Sequence, residues 1–291
     1  MKTKFGIKLR LDIFLQNYWV TDDMNFTEIT SRKNKTVIEC SDLVKDKKAR
    51  DASGLFAVEG IKLFEEALCS GMEIKSVFFT EKALGLYREK IEASGVSELY
   101  LVSDEVYDKM SDESAPQGIF AVVKKPVKEK ITKEALKEGS FVILEDIQNP
   151  LNIGAVLRCC YSLGFEKVIF SSGCADIYSP KCARAAMGSL FKVKAYFPEN
   201  LTDTVSELTS VGNRVFCTSL GERSVKLGDF DFLSSDSFVI GNEGHGASDN
   251  LMNSCSHSLF IPMNEGAESL NAATAAAIVM WEMKKNILCG N

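Results

Sequence analysis

Residues 141–160 read FVILEDIQNPLNIGAVLRCC, and this stretch decides the fold. FVIL is a short apolar run without alternation, which is typical of a strand buried in a parallel sheet. Asn149 and Pro150 end the run, and Asn152 lies where a helix N-cap is expected. Arg158 follows nearly two turns into that helix. A strand that leads through a polar turn into a helix predicts an α/β domain, whose ligands bind beyond the carboxyl ends of the strands.

The same alternation of apolar strands and helices continues to the end of the chain. The pattern predicts a buried parallel sheet that is covered by helices on both faces. Its strands are predicted at Phe141–Leu144, Lys167–Phe170, Val193–Tyr196, Arg214–Thr218, Phe238–Gly241 and Ser258–Ile261. Its helices are predicted at Ile153–Leu163, Lys181–Met187, Leu201–Val211 and Ser269–Lys285.

The first half of the chain shows a weaker alternation, which predicts a smaller α/β domain. Its strands are predicted at Leu55–Val58, Ile74–Phe79, Glu98–Val102 and Ile119–Val123, with helices over Glu59–Cys69 and Glu81–Ala93. Residues 1–23 match nothing around them and are predicted to be an extension without a structural role. The domains are therefore expected at 24–123 and 140–291, joined by a lysine-rich linker with a short helix over 124–139.

Two further loops follow predicted strands and carry unusual residues. Residues 241–248 read GNEGHGAS, with glycines spaced GxxGxG, which differs from the GxGxxG of dinucleotide-binding folds. Glu243 in the middle disfavours an anion and suits a ligand that offers donors or positive charge. Residues 261–277 read IPMNEGAESLNAATAAA, where Ser269 and Asn271 bracket the start of an alanine-rich helix. Taken singly, each loop also fits an ordinary capped or tight turn.

Taken together and in order, the three loops resemble a known family. NPxNxGxxxR, then GNEGxG, then IPMxxxxxSLN at a helix start is similar to the SpoU/TrmH group of SPOUT RNA methyltransferases, over about residues 140–286. The preceding EITSRKN and GLFAVEGIKLFEEAL resemble the L30e-like substrate-binding domain that many members carry. The resemblance implies an α/β fold: a C-terminal parallel-sheet SPOUT domain with a trefoil knot, preceded by the smaller L30e-like domain. Topology rules alone predict an unknotted sheet.

This resemblance implies a ribose 2′-O-methyltransferase that uses S-adenosylmethionine (SAM). Gly241, Ile261 and Leu270 match positions where the family holds SAM largely through backbone groups, and Thr218 is expected to add a contact.

The resemblance also marks the functional polar positions, which are Asn152, Arg158, Glu243, Ser269 and Asn271. An arginine stays protonated below pH ~12, so Arg158 is assigned to the substrate phosphate and ribose, and the proton acceptor is left open. Asn152, Ser269 and Asn271 are expected to orient the ribose and the loop, while Glu243 fixes the loop or Arg158.

Charge and composition limit the classes of partner that the protein is expected to have. The net charge is −6, but residues 1–50 carry +4 and residues 124–138 carry +3, which suits RNA. Ribosomal RNA is favoured over transfer RNA because the L30e-like domain resembles a ribosomal protein. Nine scattered cysteines without a CxxC pair fit a cytoplasmic protein, and no stretch is long and apolar enough to span a membrane. His245 and His257 lack the spacing of metal ligands, so no metal is expected. The resemblance also implies a homodimer, because members of the family form dimers.

Two other functions remain open from sequence. One is an RNA- or ribosome-binding protein that kept the fold but lost turnover. The other is a nucleotide-dependent oxidoreductase, which fits the architecture but lacks the glycine fingerprint.

Overall fold

A computed structural model describes residues 24–219, 224–267 and 269–289. The chain divides into two compact units, Met1–Lys125 (unit 1) and Pro126–Asn291 (unit 2). The predicted extension over residues 1–23 lies outside the described residues.

Unit 1 is a five-stranded mixed sheet with helices on it. Strands β1, β4, β3 and β2 run parallel to one another, and β5 runs antiparallel between β3 and β2, in the order β1-β4-β3-β5-β2. In chain order the elements are β1 Thr27–Ile29, α1 Lys35–Lys45, α2 Lys47–Ser53, β2 Leu55–Glu59, α3 Ile61–Cys69, β3 Ile74–Phe79, α4 Glu81–Ala93, β4 Glu98–Val102, α5 Asp104–Met110 and β5 Ile119–Lys124. The prediction of four strands was wrong, because the short polar β1 carries no apolar signal and forms only by pairing with β4.

Unit 2 is a seven-stranded sheet in which every described pairing is parallel, as the apolar runs predicted. The strand order is β10-β12-β9-β11-β6-β7-β8. The elements are α6 Lys133–Lys137, β6 Phe141–Leu144, α7 Pro150–Leu163, β7 Lys167–Phe170, α8 Pro180–Ala186, β8 Lys194–Tyr196, α9 Leu201–Ser210, β9 Val215–Thr218, β10 Val225–Lys226, β11 Ser237–Ile240, α10 Asp249–Ser254, β12 His257–Phe260 and α11 Ala272–Cys289. Strand β10 and helix α10 were not predicted, since each is too short to show a period.

The central strands of unit 2 form its core. All four residues of β6 and of β11 are buried, as expected for strands covered on both faces. Leu136 of α6 is buried in the same core, so the segment predicted as a linker contributes a core residue to unit 2. The trefoil knot stays a prediction.

Two helix starts differ from the sequence prediction. Helix α7 begins at Pro150 with Asn149 as its N-cap, whose side chain accepts a hydrogen bond from Leu151 N at 3.0 Å. The prediction that Asn152 is the N-cap was wrong: Pro150 has no N–H and a preset φ, so the helix starts there. Asn152 consequently lies inside the first turn and is only 8% exposed.

The last helix begins three residues later than the predicted Ser269. Asn271 caps it, because the Asn271 side chain accepts from the backbone N–H groups of Ala273 at 3.0 Å and Thr274 at 3.3 Å. Ser269 therefore stands outside the helix, in the segment that follows β12.

Close packing explains the glycine of the first motif. A Cβ on Gly154 would lie 2.5 Å from Ala185 Cβ and 2.6 Å from the carbonyl oxygen of Cys182. Only glycine allows α7 and α8 to pack at this distance. In the described parts of the chain, no helix is both long and apolar enough to cross a membrane.

Candidate active site

The three motif loops of the sequence meet at one edge of unit 2. The strands β12, β9, β11 and β6 are neighbours in the sheet, and Thr218, Ile240 and Leu144 end their strands at matching register. Parallel strands carry their carboxyl ends to the same edge, so the loops that follow β6, β11 and β12 converge there.

Glu243 joins the glycine-rich loop to the first motif. Its Oε2 accepts a hydrogen bond from Gln148 N at 3.2 Å, and its Oε1 accepts from Asn149 N at 3.4 Å and from Asn152 Nδ2 at 3.0 Å. Of the two roles expected for Glu243, fixing the loop is the one its contacts support.

The hydrogen bonds change the acidity of Glu243. Burial alone would raise its pKa, but the hydrogen bonds from Asn152 and from the Gln148 and Asn149 backbone outweigh burial and lower the pKa below its ordinary value. The carboxylate is therefore ionised at neutral pH, and both of its oxygens already accept hydrogen bonds. Such a group positions its neighbours better than it accepts a proton.

Asn152 extends this contact to the third motif. While its amide donates to Glu243, its Oδ1 accepts from Asn271 Nδ2 at 2.9 Å. Asn271 also caps α11, so one residue fixes both the helix start and the asparagine pair. Residues from all three motifs thus form one hydrogen-bonded chain, Glu243–Asn152–Asn271.

A second pair of hydrogen bonds joins the end of the glycine-rich loop to the first motif loop. Ser248, the N-cap of α10, donates through its backbone N–H to Glu145 Oε2 at 2.8 Å and through its hydroxyl to Glu145 Oε1 at 2.6 Å. Glu145 directly follows β6, so the first and second motif loops are tied at both ends.

Arg158 and Ser269 stand apart from this chain of contacts. Both are exposed, and neither side chain makes a hydrogen bond or ion pair to any residue of the described ranges. Arg158 lies on α7, and Ser269 lies two residues before Asn271. An exposed arginine whose guanidinium is not engaged by a described residue suits the binding of a phosphate.

The four residues expected to contact the cofactor differ in their local structure. Gly241 is buried, and a Cβ there would lie 2.1 Å from Ala247 N, so only glycine fits this turn. The Thr218 hydroxyl donates to Val239 O at 2.8 Å and ties β9 to β11. Ile261 and Leu270 lie between β12 and α11, and neither residue belongs to a helix or a strand.

These residues fit SAM as a cofactor. Within the described part of the chain, the backbone groups of Ile261 and Leu270 make no backbone hydrogen bond, so they are open to a ligand. They follow the carboxyl end of β12, which is a neighbour of β9 in the sheet, and parallel α/β sheets bind ligands at this edge.

The cysteines near the motifs are not suited to nucleophilic chemistry. Burial raises the pKa of the Cys159 thiol, and burial raises that of Cys160 further. In the ranges described, no group of three or more His, Cys, Asp or Glu side chains could hold a metal ion.

Sequence reasoning missed Asn149, Gln148 and Asn242 as parts of the site. Asn149 carried a readable signal, because an asparagine before proline at a helix start is a common N-cap. The other two carried no such signal. Gln148 contacts Glu243 through its backbone N–H, and Asn242 Nδ2 donates to Asp146 O across the loops at 2.8 Å.

The fold and this site together define a class: SAM-dependent RNA 2′-O-methyltransferases built on a parallel α/β sheet. The comparisons with known proteins narrow the class. The SpoU rRNA Methylase family matches residues 139–281, and the MRM3-like substrate binding domain matches residues 34–121. The chain belongs to the SpoU rRNA methylase family, as its motifs predicted.

Two relatives show how far the likeness extends. The chain is 30% identical to the Bacillus subtilis 23S rRNA (guanosine(2553)-2′-O)-methyltransferase RlmP, over 88% of this chain and 99% of the relative. It is 27% identical to the 23S rRNA (uridine(2479)-2′-O)-methyltransferase of Streptomyces viridochromogenes, over 90% and 93% of the two chains. Both likenesses cover nearly the whole of each chain.

A solved structure is similar as well. The AdoMet-bound rRNA methyltransferase from Sinorhizobium meliloti has a TM-score of 0.78 and 26% identity, and the match covers 90% of this chain and 98% of that one. The expected cofactor, SAM, is thereby confirmed.

Proposed function

We propose that this protein transfers the methyl group of SAM to the 2′-oxygen of a ribose in 23S ribosomal RNA. The observation that carries the proposal is the hydrogen-bonded chain Glu243–Asn152–Asn271, which links the three motif loops. Arg158 is exposed on α7, the helix that also carries Asn152. The two relatives are named for this reaction at two different nucleotides, which supports ribosomal RNA and leaves the nucleotide unassigned.

The residues divide the work by their chemistry. Bound SAM supplies an electrophilic methyl group on a sulfonium. Arg158 binds the phosphate beside the target ribose, because a guanidinium is always charged and matches phosphate geometry. Asn152, Asn271 and Ser269 orient the ribose so that its 2′-oxygen faces the methyl group. Glu243 holds Asn152 and the loop in place, and good orientation of this kind lowers barriers by several kcal/mol, up to about 7–11 in ideal cases.

Gly241, Ile261 and Leu270 hold the cofactor through their backbone groups. Thr218 acts indirectly. Its hydroxyl donates a hydrogen bond to Val239 of β11, and this bond fixes the position of the end of β9.

The two domains predicted from the sequence take different parts in this function. Residues 24–123 bind the RNA substrate and residues 140–291 carry catalysis, with 124–139 between them. The match of residues 34–121 to a substrate binding domain supports this division. Lysines over residues 124–137 add positive charge that attracts the RNA backbone.

A homodimer formed through unit 2 fits its surface. Ile278, Trp281 and Leu288 of α11 are 36%, 48% and 50% exposed, and their spacing puts them on one helix face. Leu151 and Tyr161 of the neighbouring α7 are about half exposed too. Exposed apolar side chains at this density favour a protein interface. Trp281→Glu should then halve the mass measured by analytical ultracentrifugation.

The protein is proposed to act in the cytoplasm. All nine cysteines are free thiols, which suits a reducing compartment.

The test is transfer of radiolabelled methyl from SAM to unmethylated 23S rRNA transcribed in vitro. Wild type should label the RNA at a ribose 2′-oxygen, and Arg158→Ala should lose the label while still binding SAM. Arg158→Lys is the matched control for charge, and it should recover part of the activity. If wild type binds SAM and RNA but labels neither ribosomal nor transfer RNA, the protein is the non-enzymatic RNA-binding alternative.

A further inference from the structure

The backbone at Asp146 adopts a conformation that most residues avoid. Its φ is +52°, in the left-handed region. Two hydrogen bonds to one neighbour hold it there: Asp146 N donates to Ser171 Oγ at 2.8 Å, and Ser171 Oγ donates to Asp146 Oδ1 at 2.5 Å. Ser171 directly follows β7, a strand that carries none of the three motifs.

Gly173 completes this arrangement. A Cβ at Gly173 would lie 2.2 Å from Asp146 Oδ1, and its three nearest atoms would all belong to the Asp146 carboxyl group. The Gly173 carbonyl also accepts a hydrogen bond from Gln148 Nε2 at 2.6 Å. The loop after β7 therefore holds the residues on both sides of Ile147, which is buried.

The held residues lead directly to Glu243. Asp146 O accepts from Asn242 Nδ2 at 2.8 Å, and Asn242 is the residue before Glu243. Gln148 N donates to Glu243 itself. The Ser171 hydroxyl thus sits two contacts away from the carboxylate that orients Asn152.

We propose that Ser171, Asp146 and Gly173 form a latch, whose members are positioning residues for methyl transfer. The latch sets the first motif loop so that Gln148 and Asn149 present their N–H groups to Glu243, and Glu243 then fixes Asn152. This inference rests on the proposed methyl transfer and adds the loop after β7 to the machinery. The three latch residues are assigned to act through Glu243 and Asn152, not through a contact of their own with the substrate.

The first test compares variants of Asp146 and Ser171 in the full-length protein. Asp146→Ala and Ser171→Ala should lower kcat by about 10- to 100-fold, because small displacements of catalytic groups cost this much. Asp146→Asn should keep most of the activity, since asparagine accepts the same hydrogen bond and tolerates the left-handed region. Ser172→Ala, at an exposed neighbour, is the matched control.

The second test uses the contact between Gly173 and Asp146. Gly173→Ala alone should lower kcat by at least tenfold, because its Cβ meets the Asp146 carboxyl group. In an Asp146→Gly background that carboxyl group is gone, so adding Gly173→Ala should change kcat by less than twofold. A general loss of folding would instead make the two changes add.

The outcomes separate the latch from the methyl transfer reaction. Loss of kcat with the Kd for SAM and the thermal midpoint unchanged supports the latch. Equal kcat in wild type, Asp146→Ala and Ser171→Ala overturns it, as does a Gly173→Ala effect that is the same in both backgrounds. If wild type labels no RNA, the proposed function itself fails, independently of any variant.

Discussion

Replacing Glu243 by glutamine tests the central contact of the site. Glutamine keeps one oxygen, which still accepts from Asn152 Nδ2 and Asn149 N, but its amide nitrogen then faces the Gln148 N–H. One charge-assisted hydrogen bond is lost, and two donors are brought together. A hydrogen bond to a charged group contributes about 1.5–3 kcal/mol, and the exposed position of Glu243 favours the lower end.

The expected cost is therefore about 1.5 kcal/mol, or about a tenfold lower kcat/KM. The assay is steady-state methyl transfer to 23S rRNA, with thermal unfolding measured on the same samples. Glu199→Gln, an equal change of charge at an exposed residue before α9, is the control and should match wild type. A Glu243→Gln enzyme within twofold of wild type would refute the role given to Glu243.

Three further outcomes are expected. Gly241→Ala should weaken SAM binding in calorimetry and lower the free energy of unfolding by about 1–3 kcal/mol, because its Cβ would overlap Ala247 N and the loop must move. Burial raises the pKa of Glu59 above its ordinary 4.5, and this outweighs its hydrogen bonds from Ser111 and Tyr107. The folded protein therefore holds the Glu59 proton more tightly than the unfolded chain, so stability is lost as pH rises above about 4.5. Glu59→Gln should unfold at a higher temperature than wild type at pH 7 and not at pH 4. RNA affinity measured by filter binding should fall steeply from 50 to 200 mM salt; a flat profile would contradict the assignment of phosphate contacts to the basic segments.

Much of unit 2 was predictable from local pattern alone. Largely apolar runs marked six of its seven strands, and the signal has a clear cause in β6 and β11, which are buried at every residue. Two strands were not predicted: β10, which has two residues, and β1 of unit 1, which has three. Both form by pairing with a neighbouring strand, and the local sequence carries no periodic pattern that predicts this pairing. The helix start at Pro150 was misplaced because Asn149 was interpreted only as the end of the strand, whereas Asn149 caps the helix and Pro150 begins it.

The candidate site could be predicted from the sequence only in part. The resemblance of the three loops to the SpoU/TrmH group marked Asn152, Glu243 and Asn271 as functional, whereas each loop taken singly also fits an ordinary turn. The hydrogen bonds among these three residues could not be predicted from the sequence, and neither could the latch at Asp146.

The sequence by itself determined the alternation of strands and helices, the three motif loops and the chemical types they carry, since each depends on residues close together in the chain. Only the tertiary structure decided which loops meet. Glu243 lies 91 positions from Asn152, and Asn271 lies 119 positions from it, so their hydrogen bonds exist only because strand order brings β12, β11 and β6 to one edge. Hydrogen bonds act over about 3 Å, and no local pattern records that distance between residues so far apart in the chain.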